Sequence, residues 1–171
     1  MQMKVIHQYG LTNWVRKGTN HVNQASETYW KQFWQGNEPA TVTAWKFGAD
    51  PDHLADLVLK GIKTATCSAY LFYELEHETL PKVGEFNIIL NSQDEPACIT
   101  RTIDVTVMPM NEVPASHAYA EGEGDRSYRY WYAVHEEFFK KELAEIGRTF
   151  RNDMLVVCER FKVVDCYASR I

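Results

Sequence analysis

The sequence predicts an α+β domain: a mixed or antiparallel sheet, curled into a small barrel and flanked by helices. Three observations point there. Strand-like runs follow one another through the middle of the chain, Phe86 to Leu90 and then Ala97 to Val107, joined by short polar turns. Helical apolar stripes lie on either side of that block. No strand–helix alternation is long enough for a doubly wound sheet. The 171 residues suit one domain, or one with an extension, and can build a core without metal or disulfide staples.

Residues 1–25 are polar and read as a loose arm, with a helical turn near Trp14. Ser26 then reads as an N-cap, and Tyr29, Trp30, Phe33 and Trp34 follow at helical spacing up to Gly36. Four rings on one face would make a large apolar patch in water, so this helix is expected to pack over the sheet or barrel. Residues 1–40 are thus expected to form an arm and an aromatic helix on a domain spanning 41–171. Thr41 to Phe47 is β-branched and aromatic and reads as a strand. Asp50 or Asp52 caps a helix carrying Leu54, Leu57 and Val58, and Gly61 stops it. Thr64 to Phe72 reads as the next strand. A bend is expected within Ala97–Thr102, where alternation fails. Asn111 or Ser116 opens a short helix. A longer helix runs from about Ser127 to Ala144, with Trp131, Val134, Phe138 and Phe139 as its stripe and Gly147 beyond its end. Met154 to Val164 is the last strand.

The composition narrows the function classes. The net charge is −5, and basic residues come singly or in pairs such as Arg16-Lys17 and Lys140-Lys141. A long nucleic-acid backbone is usually held by a basic stripe, so a small ligand is favoured over a polymer. Five Trp, nine Tyr and eight Phe suit a ring-rich core or the stacking of a flat ligand. Cys67, Cys98, Cys158 and Cys166 show no zinc or redox spacing and sit in apolar runs, so four free thiols and a cytoplasmic setting are expected. No membrane span, metal pattern or cofactor motif is found. His53, His77, His117 and His135 are scattered, and solvent-facing or capping roles are expected for each.

Two stretches stand out. Gly61-Ile62-Lys63-Thr64-Ala65-Thr66 places a lysine at a helix-to-strand turn, with Cys67 and Ser68 beyond. A lysine beside hydroxyls suits phosphate binding or amine-assisted catalysis; the plain reading is a surface lysine followed by strand threonines. Glu121-Gly122-Glu123-Gly124-Asp125 sets two glycines among three carboxylates before a helix. Helix electrostatics explain Asp125, and Glu121 as well, but explain Glu123 less completely. The glycines flanking Glu123 permit close approach of a ligand.

These two stretches, with Trp45-Lys46-Phe47-Gly48 and Pro81-Lys82-Val83-Gly84-Glu85, closely resemble the ASCH-domain family in residues and in order, over roughly residues 41–165. Cys158-Glu159-Arg160-Phe161 looks like the longer bacterial branch of that family. The resemblance implies a PUA-like β-barrel. Some small bacterial members are amidohydrolases that deacetylate N4-acetylcytidine, using the motif lysine, the motif threonine and an acidic-loop glutamate. By position these are Lys63, Thr66 and Glu123. Trp45, Phe47 and Tyr70 would stack a base, with Ser68 and Arg126 as further ligand-binding candidates. Another bacterial member is a ribonuclease and others are RNA-binding modules. A non-catalytic RNA- or nucleotide-binding role is therefore the alternative. The N-terminal extension and the Tyr/Trp-rich last helix depart from the small amidohydrolases and bear on the substrate.

The chemistry sets conditions. A threonine nucleophile needs a base, and a lysine near its ordinary pKa of about 10.4 is protonated. Burial lowers it; a neighbouring Glu123 carboxylate raises it. Residues 63 and 66 of a regular strand point to opposite faces. A shared site therefore requires Lys63 to lie before the strand proper, in the turn after Gly61.

Overall fold

The computed structural model describes residues 23–34 and 42–167. The expectations for the polar arm, Trp14, Gly36 and Thr41 lie outside them. Helix α1 (Gln24–Phe33) precedes β1 (Val42–Trp45), α2 (Pro51–Leu59), β2 (Ala65–Ala69), α3 (Tyr70–Glu76), β3 (Phe86–Leu90) and β4 (Pro96–Pro109). After a 3-10 turn at Met110–Glu112 come α4 (Ala115–Glu121), α5 (Tyr128–Glu145) and β5 (Leu155–Cys166). None of these helices is long and apolar enough to cross a membrane.

The α+β class stands. The five strands form one mixed sheet in the order β1-β3-β4-β5-β2. Only the β1–β3 pair is parallel; the other pairings are antiparallel. The sheet does not close into the expected barrel. Its edges, β1 and β2, are four and five residues long. The link between them is α2, whose Leu54, Ala55, Leu57 and Val58 pack with Trp45, Phe47, Ile89 and Phe161. A helix laid across a sheet face buries apolar area where closure would have required the two short edges to pair. The irregularity expected early in β4 is present, as register shifts at Ile99/Thr100 and Thr102/Asp104 against β5.

Local chemistry sets most boundaries. Asp50 caps α2 and Ser127 caps α5, each accepting a backbone N–H three residues on. The cap of α1 is Asn23 rather than Ser26: its side chain accepts from the Ser26 N–H at 2.8 Å, and Ser26 is buried in the first turn. The α4 helix opens after Pro114, at neither expected position. The expected strand through Phe72 ends at Ala69, and Tyr70–Glu76 is helical. Ala69, Phe72 and Tyr73, at helical spacing, are all buried. On the far side, Tyr29 and Trp30 of α1 are buried against Ala44, Ile88, Leu90 and Ile99.

Candidate functional site

The turn after Gly61 delivers Lys63 to the interior. Gly61 adopts φ +68°, and the N–H groups of Ile62 and Lys63 both donate to the Leu57 carbonyl, at 2.9 and 3.0 Å. The Thr64 N–H donates to Ala120 O at 2.7 Å, tying the turn to α4. Lys63 therefore lies before β2, as a shared site requires, and its side chain is fully buried.

Its ammonium is clamped. Nζ donates to Glu123 Oε1 at 2.7 Å and to Glu121 Oε2 at 3.1 Å, and it lies 5.2 Å from the centroid of the Phe47 ring. Burial alone would lower the lysine pKa, but the two carboxylates outweigh it and raise it above its ordinary value. Lys63 is thus held as a cation. The role of unprotonated base does not fit this arrangement; stabilisation of negative charge does.

Glu121, explained from sequence as a helix-end acid, is the hub of the cluster. It is 1% exposed, accepts from Trp131 Nε1 at 2.7 Å, and has His117 Nε2 at 3.3 Å and His135 Nε2 at 3.7 Å from Oε1. Burial would raise its pKa, but Lys63 and then the two imidazoles hold it well below the usual carboxylate range. His117 and His135 are buried, not solvent-facing as expected. The signal was available: His117 and Glu121 are four apart on α4, and Trp131 and His135 four apart on α5, so each pair shares a helix face. Contacts with Cys158 and Glu121 outweigh burial and raise His117 to about 9. Cys158 falls to about 6 through its hydrogen bond to Cys67 and, against burial, its contact with His117. Ligand atoms of Cys67, Glu121 and His135 lie within 4.8 Å of one another, so this is where the described residues could gather a metal ion. The Lys63 ammonium already occupies the Glu121 carboxylate.

Thr66 and Ser68 alternate with Cys67 along β2 and face the other way. They line a narrow cleft with Trp45, Phe47, Tyr73 and Glu159, whose enclosed space of about 20 Å³ has room for a water molecule. Phe47 is the common wall, bordering this cleft and touching the Lys63 ammonium. The structure thus joins Lys63 to Glu123 directly and places Thr66 in the cleft that Phe47 borders. Glu123 itself faces a separate hollow that it shares with Tyr130 and Trp131.

Two expected ligand contacts sit elsewhere. Tyr70 lines a different groove, with Arg148, Arg151 and Met154. The change to helix after Ala69 rotates it away and places Tyr73 in the cleft, bonded to Ser68 Oγ at 3.1 Å. Arg126 is engaged by Tyr119: its Nε donates to the Tyr119 carbonyl at 3.1 Å and its guanidinium stacks 3.7 Å from the Tyr119 ring centroid. Glu159 was quoted from sequence only for resemblance. The β2–β5 register sets it directly opposite Thr66.

The family model of the ASCH domain matches residues 43–165. The chain belongs to the ASCH-domain family. The match takes in the lysine turn, the acidic loop and both walls of the cleft. No curated protein matches the chain. Crystal structures similar to this ASCH protein include these two. One is of a protein from Enterococcus faecalis V583, of the family model DUF984. It is 42% identical, with TM-score 0.76, over 84% of this chain and 90% of that one. The other is of an ASCH domain from Lactobacillus crispatus JV V101. It is 33% identical, with TM-score 0.77, over 89% of this chain and 99% of that one.

Proposed function

We propose that this ASCH protein hydrolyses the exocyclic amide of an acylated nucleoside of the N4-acetylcytidine type. The observation that carries the reading is Phe47. One ring borders an aromatic cleft that Thr66 also lines, and the same ring lies 5.2 Å from a buried ammonium held by two acids. Trp45 and Phe47, packed edge to face at 4.8 Å, give the cleft aromatic walls. Thr66 is the nucleophile toward the acyl carbon. Lys63, kept cationic, stabilises the oxyanion; Glu123, the more exposed of its two acids, takes the hydroxyl proton and returns it to the leaving amine. Glu123 then takes a proton from a water that attacks the Thr66 ester, releasing the carboxylic acid and returning the proton to the Thr66 hydroxyl. This requires the Lys63–Glu123 pair to close on the cleft when ligand binds, as catalytic contacts that are loose without substrate often do.

A phosphate-binding role for Lys63 fits less well. Its charge is already matched by two carboxylates, which would repel a phosphate dianion, whereas the oxyanion forms only as Glu123 takes up a proton. The net charge of −5 also favours a small neutral ligand over RNA.

The test is incubation with N4-acetylcytidine and other acylated nucleosides, followed by chromatography. Deacylation is expected, and Thr66→Val, which removes the hydroxyl at nearly constant shape, should slow it by about a hundredfold or more. A wild-type protein that leaves the whole panel intact would overturn the reading. Binding without turnover would make the chain a recognition module.

A further inference from the structure

We infer that the protein forms a two-fold dimer in which the open edge of β4, residues 103–109, pairs antiparallel with the same edge of a second copy. The pairing does not depend on the nucleoside reading.

Strand β4 outruns its neighbour. On one side β5 pairs with it from Cys98 through Pro109. On the other side β3 pairs only as far as Arg101. Thr102 is still held there: its N–H donates to Glu85 O and its carbonyl accepts from the Gly84 N–H, both at 2.9 Å. Beyond Thr102 no described residue bonds to that edge. Backbone groups of successive strand residues point to alternate sides. The Met110 N–H donates toward β5, to Met154 O at 2.9 Å, so Met108, Thr106 and Asp104 turn their groups toward β5 as well. Val105 and Val107 therefore turn theirs outward, unpaired. The register shift at Thr102/Asp104 accounts for the change of side after Thr102. Pro109, which has no N–H to offer, falls at an outward position.

This edge is exposed on both faces. Ile103 is 46% and Val107 38% exposed on one face, and Asp104 and Thr106 are exposed on the other. From Val105 to Met108 there is no charge to guard it, and β-branched residues dominate.

The same edge of a second copy fits it. With the two-fold axis at Thr106, Val105 of each copy opposes Val107 of the other. Both residues point outward, so each such pair exchanges both of its N–H···O bonds. Asp104 then opposes Met108 instead of a second carboxylate, and its own neighbour in register is Arg160. The ends are complementary in charge. Lys82 and Arg101 lie where β3 stops, and Glu112 lies in the 3-10 turn that closes the other end. None of the three is in an ion pair among the described residues. The two-fold brings Glu112 of each copy toward Lys82 and Arg101 of the other. An isologous contact gains each of these features twice, which an unrelated peptide does not.

The experiment is sedimentation velocity on the full chain from about 1 to 200 µM, where a small interface of this kind should dissociate. A monomer–dimer equilibrium is expected. Thr106→Lys and Thr106→Asp alter an exposed side chain, and each should weaken the dimer by about tenfold or more, because like charges then meet on the axis. An equimolar mixture of the two variants should associate to within about threefold of wild type, since unlike charges then meet. In wild-type protein the Val105 and Val107 amides should exchange hydrogen more slowly as concentration rises, while the Thr106 amide, directed to β5, should not change. Should either variant fail to fold by circular dichroism, the exchange measurement decides. A wild type that stays monomeric over this range, with exchange independent of concentration, overturns the inference. So does a dimer that both variants leave intact, or one that mixing them does not restore.

Discussion

Gly122 rests against the peptide of Ile62. A β-carbon built on Gly122 would fall 2.6 Å from the Ile62 carbonyl oxygen and 2.8 Å from its carbon, and Gly122 has φ +78°. The glycine between the two acids therefore serves close approach to the lysine turn, not to a ligand. Gly122→Ala must strain the left-handed backbone, at about 1–2 kcal/mol, and also push the acidic loop off the turn. We expect a total loss above about 2 kcal/mol in denaturant unfolding. An unchanged midpoint would show that the two segments are not wedged.

The two acids on Lys63 should be unequal in stability. Lys63→Met leaves Glu121 buried without its cation and should cost about 3–5 kcal/mol. Glu123, at 17% side-chain exposure, can turn toward water, so Glu123→Gln should cost about 1 kcal/mol. Chemical denaturation of both variants checks the order; equal losses would place the weight of the cluster on Glu123.

The acid limb of stability should belong to Glu121. Its folded pKa is depressed, so its contribution is present above the ordinary carboxylate value of about 4.3 and drains away as pH falls toward its folded pKa. Lys63 is raised, so its contribution is present below about 10.4 and is lost as pH rises beyond that. The stability difference between wild type and Glu121→Gln should be largest between about pH 5 and 10 and narrow below about pH 4. A difference that stays constant down to pH 2 would sink this assignment.

His117 and Cys158 should compensate. His117 raised to about 9 loses its contribution as pH rises through that value, whereas Cys158 lowered to about 6 holds its contribution above the unfolded thiol pKa and loses it as pH falls. Between about pH 6.5 and 8.5 the folded pair carries its proton on the imidazole and the unfolded chain carries it on the thiol, so the proton counts match. Stability should be flat in that window. His117→Gln leaves Cys158 without its imidazole and should tilt the profile, which urea titration at several pH values would record.

All four cysteines are free. Denatured, unreduced protein should therefore titrate four thiols, and a count of two would contradict the structure. In the native state Cys166, half-buried, should react first, with Cys67, Cys98 and Cys158 protected by burial. Burial holds the Cys98 thiol up at about 12, which slows it further.

Much of this could be read along the chain. Gly61 as a helix stop, the caps at Asp50 and Ser127, the β3 strand and the position of Lys63 before β2 all depend on neighbours within about one helical turn, where propensity and capping act. The helix at Tyr70 was legible in the spacing of Ala69, Phe72 and Tyr73, and was obscured by the strand-like run before it. The site itself depended on contacts between distant segments. Glu121 and Glu123 reach Lys63 across 58 and 60 residues, and Thr102 reaches Glu159 across 57. Whether Glu159 faces Thr66, whether His117 is dry, and whether the sheet closes depend on strand register and on where helices pack. A one-residue slip in register would turn Glu159 to the opposite face while leaving the local sequence unchanged. Local rules place each side chain on its own element; only the packing of those elements decides which carboxylate meets the lysine and which meets the hydroxyl.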